Sequence, residues 1–145
     1  IKLKYYLNWQ SAGLGKLSIV PITLNPRFFN NSSLYFKACN GTEYPEKYNL
    51  NNLEIDHTKN VSFLVSSQHG LGMTDGRFVI GDAYNNIEIN FQPSKTAFLG
   101  QVLHKNIGGL YFTRFLLTAR EFDDTAKYSN LFINTEISYK INISN

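Results

Sequence analysis

Three histidines, one cysteine and eleven carboxylates are the side chains here best suited to move protons, hold metals or attack electrophiles. His57, His69 and His104 lie too far apart in sequence for any two to share a helical turn, so no local pair presents a metal site. His57 follows Glu54 and Asp56. On a strand those two acids share one face and the imidazole takes the other, which is a poor ligand set and reads as a solvated loop cluster. The glycine-rich stretch His69–Gly76, HGLGMTDG, carries Asp75. It lacks the alternating oxygen ligands of a calcium loop and the helix that follows a dinucleotide loop, so it reads as a mobile turn between strands. Asp123 and Asp124 are adjacent, and on a turn such neighbours point apart. A lone Cys39 excludes an intramolecular disulfide and a cysteine-rich zinc site. No base motif accompanies it, so it reads as a small buried apolar group.

Gly15-Lys16 raises the question of a phosphate loop. That loop needs a first glycine five residues earlier and a hydroxyl directly after the lysine. Gln10 and Leu17 stand there instead. With no nucleophile, base and oxyanion donors brought together by motif, the expectation is a non-enzymatic protein with no cofactor and no metal.

The elements around these residues read as β. Aromatics make up 14% and charged residues only 17% of the 145-residue chain, a mix suited to pleated, half-buried surfaces. Ile1–Leu7 alternates, with Ile1, Leu3 and Tyr5 on one face. Asn8–Lys16 is turn-like, and Leu17–Leu24 resumes a strand, so the opening segment reads as a long-looped hairpin. Pro21 cannot donate to a ladder, which places its strand at an edge or breaks it there. Asn25-Pro26 resembles a helix start; Arg27–Lys37 fits a short helix, or a helix followed by a strand. Cys39–Asn52 is polar and reads as a surface loop. Further strands are expected at Val61–Val65, Arg77–Ile80, Ile87–Phe91, Ala97–Leu103, Leu110–Ala119, Leu131–Ile133 and Glu136–Ile143, separated by turn-rich stretches. Short strands at such spacing predict an all-β, two-sheet β-sandwich, transthyretin-like or Ig-like, with at most one or two short helices, in a single domain over residues 1–145.

Composition narrows the partners. The net charge of +3 is spread from Lys2 to Lys140 with no basic run, which argues against nucleic acid. No apolar run reaches the length of a membrane-spanning helix. Asn30, Asn31, Asn40, Asn60 and Asn142 head Asn-X-Ser/Thr sequons, which suit either a glycosylated exoprotein or a merely asparagine-rich chain. The chain opens on Ile1, not on methionine, and is read as either a processed product, from which a signal or lipid-anchor segment is removed, or a trimmed form. Trp9, the single tryptophan, sits in a polar loop between strands, where such a ring serves as an interface anchor.

Two stretches carry a resemblance. One is IKLKYYLNWQSAGLGKLSIVPITLNPRFFNNSSLYF; the other, FQPSKTAFLGQVLHKNIGGLYFTRFLLTAREFDD, places a Pro-Ser turn before two strands and ends in Ala-Arg and an acidic turn. Together they resemble the small outer-membrane lipoprotein of type VI secretion systems (TssJ). The chain departs from that family in having Lys127-Tyr128 where Trp-Arg often follows the acidic turn, and in the length of the stretch from Thr42 to Gly81. The resemblance implies a transthyretin-like sandwich in the periplasm, held to the outer membrane by a lipidated cysteine upstream of Ile1. It implies that the loop between the first two strands grips the periplasmic domain of an inner-membrane secretion component. Here that loop supplies Asn8, Trp9, Gln10, Ser11, Leu14 and Lys16. The end of the second stretch is also similar to chaperone–usher pilins, which complete their fold by strand addition. A secreted viral or eukaryotic sandwich is the third reading.

Overall fold

A computed structural model describes residues 1–8, 15–51, 53–62, 65–94, 98–122 and 134–144. Twelve strands and one short 3-10 turn follow in chain order: β1 (Lys2–Asn8), β2 (Gly15–Leu24), the turn Asn31–Ser33, β3 (Tyr35–Ala38), β4 (Glu46–Asn49), β5 (Ile55–Asp56), β6 (Asn60–Ser62), β7 (Val65–Gln68), β8 (Arg77–Gly81), β9 (Asn86–Phe91), β10 (Leu99–Ile107), β11 (Leu110–Phe122) and β12 (Asn134–Ser144). They form a six-stranded sheet ordered β1-β12-β9-β8-β3-β4, a four-stranded sheet ordered β2-β11-β10-β5, and a small β6-β7 ribbon. All pairings are antiparallel. The chain is an all-β protein of two main sheets, as its alternation predicts.

The core lies between the sheets. Alternation assigns Phe36 and Ala38 of β3, Phe78 and Ile80 of β8, and Ile87 and Ile89 of β9 to the inner side, where all are buried. Val102, Phe115 and Leu117 meet them from the smaller sheet. Phe115 stacks on Phe78 with ring centroids 3.7 Å apart, Phe78 on Phe36, and Phe36 on Tyr48. This aromatic column joins the two layers. Beneath it Gly100 leaves room for Met73, whose sulfur would lie 2.8 Å from an added Cβ.

Five connections cross between the two main sheets: β1 to β2, β2 to β3, β4 to β5, β9 to β10, and β11 to β12. The opening strands therefore do not form a hairpin. β1 pairs with β12, Asn8 opposite Asn134, while β2 pairs with β11, Gly15 opposite Phe122. Alternation fixes which side of a strand is buried, but it does not choose the neighbour, and sequence proximity is a poor guide where chains cross between layers. Pro21 lies where its missing donor predicts, on the edge strand β2. It sits in a register break between Ile19↔Leu117 and Ile22↔Phe115, and the preceding Val20 has φ 56°, a strained value for a β-branched residue.

Four other expectations are corrected. The helix after Pro26 is a turn, with Phe28 N–H donating to the Asn25 carbonyl, followed by the 3-10 turn Asn31–Ser33 and then β3. The polar stretch Cys39–Asn52 contains β4, whose Tyr48 packs on Phe36. Val61–Val65 is not one strand: β6 and β7 fold back on each other, Ser62 opposite Val65. The glycine-rich stretch at 69–76 is packed in place. Leu71 bridges to Gly100, Thr74 N–H donates to the Cys39 carbonyl, and Met73 plugs the core at 1% exposure. The expected strand at Leu131–Ile133 lies outside the described residues.

Candidate functional site

Among the described residues no three His, Cys, Asp or Glu side chains gather as a metal site. The groups singled out for chemistry hold the fold together. Glu54 is exposed in the loop before β5, as expected, whereas Asp56 lies on the strand Ile55–Asp56, which pairs with His104 and Leu103. Asp56 accepts from Lys105 at 2.8 Å and from both the backbone and the hydroxyl of Thr58. Burial works to raise its pKa, but these donors prevail and hold it at about 2. His57 accepts the Val102 N–H on Nδ1 at 3.3 Å. Burial, with a smaller push from His69, lowers its pKa against the opposing pull of Asp56. His104 is fully buried on β10, its Nδ1 2.7 Å from the Thr113 hydroxyl and its ring stacked on Tyr111. Burial lowers its pKa too, while the Leu50 carbonyl and Glu54 oppose the shift. Cys39 is buried and its thiol donates to the Thr42 carbonyl at 2.8 Å. Asp123 and Asp124 lie outside the described residues.

The first connecting segment is only partly placed. Asn8 ends β1 opposite Asn134, and Lys16 lies near the start of β2 opposite Glu121, so the two belong to different sheets. Trp9, Gln10, Ser11 and Leu14 lie outside the described residues.

A cleft of about 470 Å³ lies on the outer face of the six-stranded sheet. Its position follows from strand parity. Phe36, Phe78, Ile80, Ile87 and Ile89 turn inward, so Tyr35, Lys37, Arg77, Val79, Asn86 and Glu88 turn outward. Register aligns Lys47, Lys37, Val79, Glu88 and Asn142 in one row across five strands. The neighbouring row runs from Arg77 through Asn90 and Lys140 to Lys2. The Lys47 ammonium lies 4.4 Å and the Lys37 ammonium 5.4 Å from the Tyr35 ring centroid, both within cation–π range. Pro45 and Asp75 complete the rim.

Charge in the cleft is unevenly compensated. Glu88 accepts from Arg77 on one oxygen, at 2.5 and 2.9 Å, and from Asn90 on the other at 2.7 Å. The Asn90 hydrogen bond is the largest influence on Glu88 and, with Arg77, keeps its pKa low against burial. Asp75 caps the Arg77 backbone N–H. Neither Lys37 nor Lys47 forms an ion pair among the described residues. The surface is thus a basic groove floored by an aromatic ring, whose two lysine ammonium groups can meet an anionic group.

Sequence reasoning missed this cleft because its residues come from β3, β4, β8 and β9, which are separated in the chain. The signal available was parity: Lys37 flanked by Phe36 and Ala38, and Glu88 flanked by Ile87 and Ile89. Fold and surface together define an all-β two-sheet protein with a basic, aromatic-floored groove. Compared with known protein families, with curated proteins and with solved structures, the chain matches none.

Proposed function

We propose that the chain is a non-catalytic recognition protein whose basic cleft receives an acidic segment of a protein partner. The observation that carries this reading is the pair of ammonium groups over Tyr35, uncompensated among the described residues, beside an arginine already held by Glu88. A carboxylate entering the groove would meet Lys37 and Lys47 while its methylene groups cover the tyrosine. In its specific form, the protein is the exported secretion-system lipoprotein that the sequence resembles. The acidic segment then belongs to the periplasmic part of an inner-membrane component, and the Asn8–Lys16 segment supplies a second contact. A lipidated cysteine upstream of Ile1 would hold the module at the outer membrane.

The test is calorimetric titration with a blocked heptapeptide of alternating Glu and Ala. Exposed ion pairs contribute about 0.2–1 kcal/mol each, so K37E/K47E should weaken binding about 2- to 30-fold. Raising salt from 50 to 300 mM should weaken the wild type severalfold and the double variant little. Equal affinity of the two proteins at low salt would remove the cleft as the recognition surface.

A further inference from the structure

The six-stranded sheet ends at β4, and this edge borders the basic cleft. The hydrogen bonds of β4 show what the edge offers. Leu50 N–H donates to the Leu34 carbonyl at 2.8 Å, and the β3–β4 register runs unbroken from Tyr35↔Asn49 to Ala38↔Glu46. Along an antiparallel strand, alternate residues direct both N–H and C=O to the same side. Leu50, Tyr48 and Glu46 therefore turn theirs to β3, and Lys47 and Asn49 turn theirs to the open side. Among the described residues no backbone group meets them there. Pro45, next in that series, has no N–H to leave unpaired, which suits the start of an edge strand.

The two faces of the edge select different side chains. On the outer face Lys47 stands opposite Lys37, with both ammonium groups over the Tyr35 ring. On the inner face lie Tyr48, stacked on Phe36, and Glu46, which accepts from the Tyr48 hydroxyl. A strand laid on this edge would put the residue opposite Lys47 on the outer face, about 5 Å from the Lys47 backbone and about 10 Å from that of Lys37. A glutamate there reaches both ammonium groups. Its sequence neighbours fall on the inner face, where an apolar group covers Tyr48 and an acid would face Glu46. Lysine, proline and short length are also the devices that keep sheet edges apart. They act against a second copy of this chain, since β4 on β4, or on β1 with its Lys2, sets lysine beside lysine. An acidic strand meets attraction instead.

We propose that the partner's acidic segment binds as a seventh strand of this sheet, paired to Lys47 and Asn49, with acids at alternate positions over the cleft and apolar residues between them. This inference rests on the recognition reading of the cleft and adds to it a backbone pairing and a sequence pattern for the partner.

The test titrates the protein with acetyl-Glu-Val-Glu-Val-Glu-Val-Glu-amide and with two N-methylated forms, one methylated at every glutamate and the other at every valine. An added strand turns only one alternate set of its N–H groups toward β4. Methylating that set should weaken binding about fivefold or more, and methylating the other should change it little. Saturating peptide should slow amide hydrogen exchange at Lys47 and Asn49 about tenfold or more. Asn49→Pro removes one open-side donor while leaving both lysines, and it too should weaken binding. Should that variant fail to fold, the methylated peptides still decide the point. If the unmodified peptide binds but the two methylated forms lose affinity equally or not at all, or exchange at Lys47 and Asn49 is unchanged, strand addition is overturned and the cleft reading stands. If the unmodified peptide does not bind, the cleft reading fails and this inference with it.

Discussion

Asp82 offers the sharpest check on the energetics of this fold. It is 5% exposed at the start of the β8–β9 turn, and its carboxylate accepts three backbone N–H groups: Asn30 at 2.6 Å, Tyr84 at 2.8 Å and Asn85 at 2.7 Å. One residue thereby closes the turn and ties it to the segment before β3. Replacing it by alanine strands all three donors. A hydrogen bond to a charged group contributes about 1.5–3 kcal/mol. The Tyr84 and Asn85 donors lie in an exposed turn, where water replaces much of the loss. The Asn30 contact joins distant segments and is not so easily replaced. The net cost should be about 3 kcal/mol near pH 7, or about 1–3 M in urea midpoint for typical slopes of about 1–3 kcal/mol/M.

The pH dependence isolates the charge. Burial acts to raise the Asp82 pKa, but the backbone donors outweigh it and the folded value is lowered. The unfolded chain therefore binds this proton first. The stabilisation is present above the unfolded carboxylate value of about 3.9 and is lost as pH falls through the folded value. Urea titrations of wild type and Asp82→Ala at pH 7, 4 and 2.5 should show a gap that is widest at pH 7 and narrows on acidification. A gap of the same size at pH 7 and pH 2.5 would refute the assignment of the effect to an ionised carboxylate.

Two further expectations concern the core and the histidines His57, half-buried, and His104, fully buried. Gly100→Ala should cost about 1–3 kcal/mol through overpacking against Met73. In a double-mutant cycle Met73→Ala should recover part of that loss, and additive effects would show that the two do not collide. His57 and His104 both have lowered pKa values in the fold. Their contribution is therefore present above the unfolded value of about 6.5 and lost as pH falls through the folded values, at up to about 1.4 kcal/mol per pH unit for each. Thermal melts from pH 7.5 to 5 should fall accordingly. The decline should be shallower in His104→Leu, and an equal slope would remove His104 as a contributor.

The elements most legible in the sequence are those where one strand carries its own pattern. IEINF turns Ile87 and Ile89 inward and Glu88 outward, and Pro21 marks an edge, because both facts depend only on local geometry. Partner choice is less legible. Nothing within residues 1–24 says that β1 joins β12 while β2 joins β11, since that depends on how the sheet-crossing connections lie side by side. β4 escaped notice because Tyr48 is its one large apolar residue and Pro45 precedes it. Met73 escaped because glycine-rich context predicts mobility, whereas contacts to Cys39, Asn40 and Gly100 hold that stretch down. The cleft was invisible for the same reason as the topology: parity places Lys37 and Glu88 outward, but only strand order brings them together.

The crossing of the first two strands has a kinetic consequence. Asn8 must find Asn134, and Gly15 must find Phe122, over more than a hundred intervening residues. Such closures are slow and come late, after the local β8–β9 and β10–β11 ribbons can form. Until the leading two dozen residues arrive, one flank of β12 and one flank of β11 both stand open. A newly made molecule thus passes through a stage able to accept the same segment from a neighbour, so refolding at high concentration should favour exchanged dimers.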